Sequence, residues 1–99
     1  MRFEWDQKKN RDNQRKHKIS FELAREVFLD PFCFIVRDRV VEDEQRFWTV
    51  GSVGGVVVLV VAHTAREEGE EEVIRIISAR KATPRERHFY ETNEIPDYD

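Results

Sequence analysis

FWTVGSVGGVVVLVVA, residues 47–62, is the stretch on which the class of fold turns. Phe47 to Val53 is rich in aromatic and β-branched residues and reads as a strand. Gly54-Gly55 is a two-residue hairpin signal, because both glycines accept the left-handed backbone of a tight turn. Val56 to Ala62 is apolar throughout, as expected of a central strand covered on both faces. It is far too short to cross a bilayer.

Further strands flank this hairpin. Phe32 to Val41 reads as one, closed by the polar turn Glu42-Asp43-Glu44. Val73 to Ala82 reads as another, after an acidic loop Glu67 to Glu72 that contains Gly69. Thr83-Pro84-Arg85-Glu86 then carries a capping box with proline at the first helical position, which predicts a short helix to about Thr92. Asn93 and Pro96 end it.

Upstream, Phe3-Glu4-Trp5 suits a short edge strand, and Asp6 is placed to cap a polar helix from Gln7 to Lys16. So polar a helix must borrow its stability from tertiary contacts. Ser20 caps a second helix with an apolar stripe of Phe21, Ala24 and Phe28, and with Leu23 and Val27 beside it. Asp30-Pro31 stops that helix. The predicted order is β-α-α-β-β-β-β-α. Short turns between consecutive strands make the sheet mainly antiparallel and the class α+β.

Ninety-nine residues make one domain, drawn here as 1–93 with an acidic tail at 94–99. A single cysteine, Cys33, excludes an intrachain disulfide and suits a reducing, cytoplasmic setting. The first residues lack the apolar core of a signal peptide. No membrane association is expected. The net charge of −3 hides a segregation: residues 1–18 and 75–90 each sum to +4, whereas 19–74 sum to −7 and 91–99 to −4. Two basic segments form a polyanion site if the fold joins them. Otherwise they are solvated faces.

Several chemistries lack their motifs. There is no phosphate loop, no dinucleotide fingerprint, no Cys-x-x-Cys and no nucleophile elbow. His17, His63 and His88 fall in different elements, so no metal site and no cofactor is expected. His63 ends an apolar strand and reads as a hydrogen-bonded core residue. What remains is a set of cations among aromatics. Strict alternation in the last strand puts Arg75, Ile77, Ala79 and Lys81 on one face and Ile74, Ile76, Ser78 and Arg80 on the other. Arg46 shares a strand face with Trp48, Arg87 and Tyr90 are helix neighbours, and Lys16-His17 closes the first helix. Arg87 has a second use open to it, an ion pair with Glu91.

The ordered set of segments resembles the BrnT family of type II toxins. It comprises Phe3-Glu4-Trp5-Asp6, Lys9, Asn13, Lys16-His17, Ile19-Ser20-Phe21-Glu22, Ala24, Val27-Phe28 and Asp30. Arg46, Gly51 and His63-Thr64-x-Arg66 follow, then Arg75 to Ala82, Glu86-Arg87 and Tyr90. Two positions depart from the family pattern: Lys18 stands where glycine is usual, and Asp43-Glu44 precedes Gln45-Arg46 in place of Gly-Glu.

The resemblance implies a RelE-like fold of four to five strands, two N-terminal helices and one C-terminal helix. It implies a ribonuclease that blocks translation, and a BrnA-type antitoxin in a complex of two plus two that binds operator DNA through the antitoxin. The expected chemistry is metal-independent attack of a ribose 2′-hydroxyl on the adjacent phosphate. Arg66, Arg75, Arg80 and Arg87 are candidates for binding phosphate and stabilising the transition state. Lys16, His17 and Lys81 are candidate proton carriers, and Tyr90 is a candidate for stacking or leaving-group protonation. Lys8, Lys9, Arg46 and Arg75 are candidates for gripping RNA. The rival reading is a module of the same fold that binds nucleic acid or a protein partner without cleaving anything.

Overall fold

A computed structural model describes residues 1–94. The chain runs β1 (Arg2–Glu4), α1 (Gln7–His17), α2 (Phe21–Ala24), a 3-10 stretch (Arg25–Leu29), β2 (Phe34–Val41), β3 (Glu44–Val53), β4 (Val57–Glu68), β5 (Glu71–Lys81) and α3 (Pro84–Thr92). The strands form one sheet in the order β1-β5-β4-β3-β2. Only β1 pairs in parallel, with β5; the other neighbours are antiparallel. The α+β class and the element order agree with the sequence expectation. The tail drawn at 94–99 lies, apart from its first residue, outside the described residues.

One face of the sheet is covered by α1, α2 and the 3-10 stretch. Phe21, Ala24 and Val27 have no exposed surface and pack with Leu59, Val61, Ile74, Ile76 and Ala79. Burying each large apolar side chain stabilises by roughly 1.5–3 kcal/mol. Phe28 of the predicted stripe is partly buried against the same core, but the fully buried positions 21, 24 and 27 are spaced by three. Three residues per turn is the 3-10 repeat, and the helix tightens to it after Ala24. Leu23 is consequently exposed. Val27 comes so close to β3 that a Cβ on Gly51 would sit 2.9 Å from Val27 Cγ1 and from Cys33 Cβ.

Other boundaries moved for local reasons. Phe32 is a turn residue, 68% exposed, because the Asp30 carboxylate accepts its N–H at 2.9 Å. Val53 pairs with Val57, so the hairpin loop takes three residues and Val56 belongs to it. The acidic segment is not a loop. Glu67 faces Glu72 and Glu68 faces Glu71 across the ladder, and only a tight turn at Gly69 separates the strands. Like charges so placed repel. Arg2 offsets this, bonding Glu68 at 3.0 Å and lying 3.6 Å from Glu71, while Arg66 bonds Glu68 at 2.9 Å.

The polar helix α1 is anchored by two buried asparagines. β1 ends opposite Arg75, which leaves the later edge of β5 without a partner strand. Asn13 supplies that partner: Nδ2 donates to Ala79 O at 2.9 Å and Oδ1 accepts from Ala79 N at 3.1 Å. Nδ2 also donates to Ile19 O. Asn10 accepts from Phe21 N and donates to Glu22 Oε1, fixing the start of α2. Lys18 takes the left-handed cap, φ 62°, that glycine ordinarily fills.

Candidate functional site

The end of β5 departs from strict alternation. Ile76 pairs with His63 and Ser78 with Ala62, so Ile77 is an extra, bulged residue. Beyond it the faces exchange. Ala79 joins Ile74 and Ile76 in the helix-covered core, and Lys81, paired with Leu59, points to that side. Arg75, Ser78 and Arg80 share the second face. The simple grouping of Arg75 with Ala79 and Lys81 is therefore corrected. The bulge brings cations to both sides of one strand end.

Arg80 is held rather than loose. Its guanidinium donates to both Glu86 oxygens, at 2.7 and 2.9 Å. The hydrogen bonds from Arg80 hold the Glu86 carboxyl below the usual carboxylate range, against the opposing effect of partial burial. Glu86 Oε1 also accepts from Thr83 N while Thr83 Oγ1 accepts from Glu86 N, which is the predicted capping box. The start of α3 is thus locked to β5 through Arg80.

The other end of α3 is tied by Tyr90. Its hydroxyl donates to Asp30 Oδ2 at 2.5 Å and lies 3.2 Å from Ser52 Oγ. Asp30 also accepts from Ser52 N and Phe32 N. Partial burial pushes its carboxyl up, but these three donors outweigh it and the net shift is downward. Burial, and then the bond to Asp30, push the Tyr90 phenol up. Arg87 is exposed and lines a hollow with Lys81 and Val56–Val58. It forms no ion pair with Glu91.

α1 runs beside the same strand in the same direction, from the level of Arg75 to that of Ala79. Lys9, Lys16 and His17 line a hollow of about 300 Å³ with Asp12, Asn13, Ile77 and Ser78. This hollow lies beside Ile77 and Ser78, and the separate hollow lined by Lys81 and Arg87 follows a few residues further along β5. Lys8 does not line the α1 hollow but lies 3.6 Å from Asp12, which does.

Arg66 is not brought to this group. It bonds Glu4 at 2.6 Å and Glu68 at 2.9 Å, and pairs across the ladder with Val73. At ~3.3 Å per residue that is roughly 25 Å along the sheet from Lys81. Arg75 lies between, 3.6 Å from Glu4. Arg46 and Trp48 share the second face with Arg75 and Arg80, and Arg46 Nε is buried without a hydrogen-bond partner. Among the described residues no cluster of three or more His, Cys, Asp or Glu is placed to hold a metal ion. No described helix is long and apolar enough to cross a membrane.

His63 is a core residue, 1% exposed, between Phe28 and Phe47. Nδ1 lies 3.2 Å from Thr64 O, which can only accept, so Nδ1 carries the proton and Nε2 accepts from Thr49 Oγ1 at 2.8 Å. Burial lowers its pKa, the backbone bond offsetting this only in part. As pH falls through ~6.5 the unfolded chain gains this proton first. Stability should be full above that pH and decline below it. Urea titrations at pH 8 and pH 5.5 are expected to show the decline in wild type and a shallower one in His63→Gln; equal declines would refute the assignment.

Residues 5–86 match the family model described as the ribonuclease toxin, BrnT, of type II toxin-antitoxin systems. The chain belongs to the BrnT family. Among solved structures it is similar to the ribonuclease toxin BrnT of Brucella abortus, at 27% identity and a TM-score of 0.60. That likeness covers 84% of this chain and 97% of the Brucella chain. No curated protein sequence gives a match. As a BrnT toxin this chain is a ribonuclease with an antitoxin partner. The residues that sequence reasoning left out of the site are Asn13 and Asp30, which position it, and Ser78, which lines the hollow. Only Asn13 left a signal, as an amide one helical turn after Asn10 in a run of charges.

Proposed function

We propose that this BrnT toxin is a metal-independent endoribonuclease that cleaves RNA by attack of a 2′-oxygen on the neighbouring phosphorus. The 5′-oxygen leaves, giving a 2′,3′-cyclic phosphate and a 5′-hydroxyl. The observation that carries this reading is the succession of cations along the end of β5: Lys16 and His17 beside Ile77 and Ser78, then Arg80, preset by Glu86, then Lys81 beside Arg87. Preset cations stabilise charge that develops on a phosphate without reorganising during the reaction. Arg80 and Arg87 bind the phosphate. Lys16, His17 and Lys81 are the groups available to move protons. Tyr90, which donates to Asp30, positions α3 and hence Arg87. Lys9 in the α1 hollow, and Arg46 and Arg75 on the second face, extend a track for the RNA backbone; Lys8 adds charge at its margin. Arg66 acts in the ion-pair cluster and not in the chemistry.

Such cleavage blocks translation in the cytoplasm, and a BrnA-type antitoxin restrains it in a complex of two plus two that binds operator DNA through the antitoxin. Purified protein incubated with RNA in EDTA is expected to cleave it and leave cyclic phosphate ends. Cleavage that stops in EDTA and returns with magnesium would rule out the metal-free route.

A further inference from the structure

The three most exposed large apolar side chains among the described residues border one hollow. Leu29, Phe32 and Val56 are 80%, 68% and 84% exposed. They border one open hollow of about 710 Å³ between the 3-10 stretch, the β3–β4 turn and α3. That volume falls within the ~300–1,000 Å³ of ordinary binding pockets. Exposed apolar residues scattered singly need no explanation, but a contiguous group around a concavity marks an interaction site.

The charge of the rim says what kind of partner fits. Glu26 and Glu91 stand on opposite sides, Asp30 lies in the wall, and Arg87 is the one basic residue among the described residues lining the hollow. An excess of carboxylates repels an RNA backbone, and Leu29 and Phe32 offer it nothing. The same surface suits apolar side chains flanked by lysine or arginine, the pattern of an amphipathic segment laid in a groove. We infer that this hollow receives an apolar, lysine- or arginine-bearing segment of the antitoxin.

This inference rests on the toxin reading above. It also supplies a way to restrain the enzyme. A segment seated here covers Arg87 and Tyr90 from the side, at the end of the cation strip, without competing for Lys16 or His17.

The test uses the toxin and the antitoxin of its own operon, with calorimetric titration and a growth-rescue assay. Leu29→Glu with Phe32→Glu removes the anchors. Glu26→Lys with Glu91→Lys reverses the rim. Neither pair belongs to the catalytic edge, so each double variant should keep its melting temperature and its RNA cleavage. Both are expected to bind the antitoxin at least tenfold more weakly and to arrest growth in its presence. Wild-type affinity and full rescue in both variants would overturn the inference. A wild-type toxin that neither cleaves RNA nor arrests growth would overturn the ribonuclease reading instead, and the titration would still report on the surface.

Discussion

Asn13→Ala is expected to lower the free energy of unfolding by about 3–5 kcal/mol, since each buried polar group stripped of its partner costs ~1–3 kcal/mol. The substitution strips three: Ala79 N, Ala79 O and Ile19 O. The total for a domain of this size is only ~5–15 kcal/mol. The effect reaches further than one side chain, because α1 buries only Asn10 and Asn13. Without Asn13 the helix keeps a single anchor and the edge of β5 lies open. Asn13→Asp should be about as damaging, since a carboxylate would face two carbonyl oxygens. Urea midpoints check this, with Gln14→Ala, an exposed neighbour, as the reference. A loss below 0.5 kcal/mol in Asn13→Ala, a threshold set by the scatter of surface substitutions at about ±0.5 kcal/mol, would mean that α1 is held by something else.

The second large effect concerns rate. Arg80→Ala and Lys81→Ala are each expected to slow RNA cleavage by about 10²–10³-fold, the usual consequence of removing one group that stabilises the transition state. Both should relieve growth arrest. The two differ in what else they disturb. Lys81 is exposed and its side chain makes no hydrogen bond or ion pair among the described residues, so its loss should leave the fold about as stable as before. Arg80 grips Glu86, so its loss also frees the start of α3. Arg80→Lys separates these roles: it keeps the charge but cannot match two oxygens at once. A rate near wild type for Arg80→Lys would reduce Arg80 to a source of charge. Arg66→Ala, by contrast, should cleave RNA within a few-fold of wild type.

Most of the architecture was legible because the signals were local. Gly54-Gly55, the Thr83 capping box, Asp6 and Ser20 each act within a few residues; the caps lie where they were read, and the glycine pair makes the turn with Val56 added to it. What was hidden depended on contacts remote in sequence. Ile74 to Ala79 is apolar or small at nearly every position, so either alternation buries it equally well, and nothing local marks Ile77 as the bulge. Only the pairing of His63 with Ile76 and of Ala62 with Ser78 decides it. The glutamates of residues 67–72 read as a loop because their repulsion is visible in the sequence, whereas the compensating Arg2 comes from the opposite end of the chain.

The site shows the same division. The cationic residue types were readable from composition, and Lys16-His17 and Arg80-Lys81 from position. That α1 lies against the end of β5 follows from one amide, Asn13, bonding a strand 66 residues away. Arg66 looked equivalent to Arg80 in sequence. Both are strand arginines, but Arg66 sits at the turn end of β4 among carboxylates and Arg80 at the helix end of β5. Asp30 read as a helix stop beside proline, and its bond to Tyr90 on α3 was invisible without the fold.

The measurement closest to the central claim is a map of where RNA sits. A short RNA with 2′-deoxy substitution at its cleavage positions cannot supply the attacking oxygen and so binds without reacting. Titrated into the labelled protein and followed by amide chemical shifts, it is expected to move His17, Ser78, Arg80, Lys81 and Arg87 while leaving Arg66 and Glu68 in place. Shifts confined to the Arg2–Glu4–Arg66–Glu68 cluster, with the β5–α3 junction unmoved, would contradict the account.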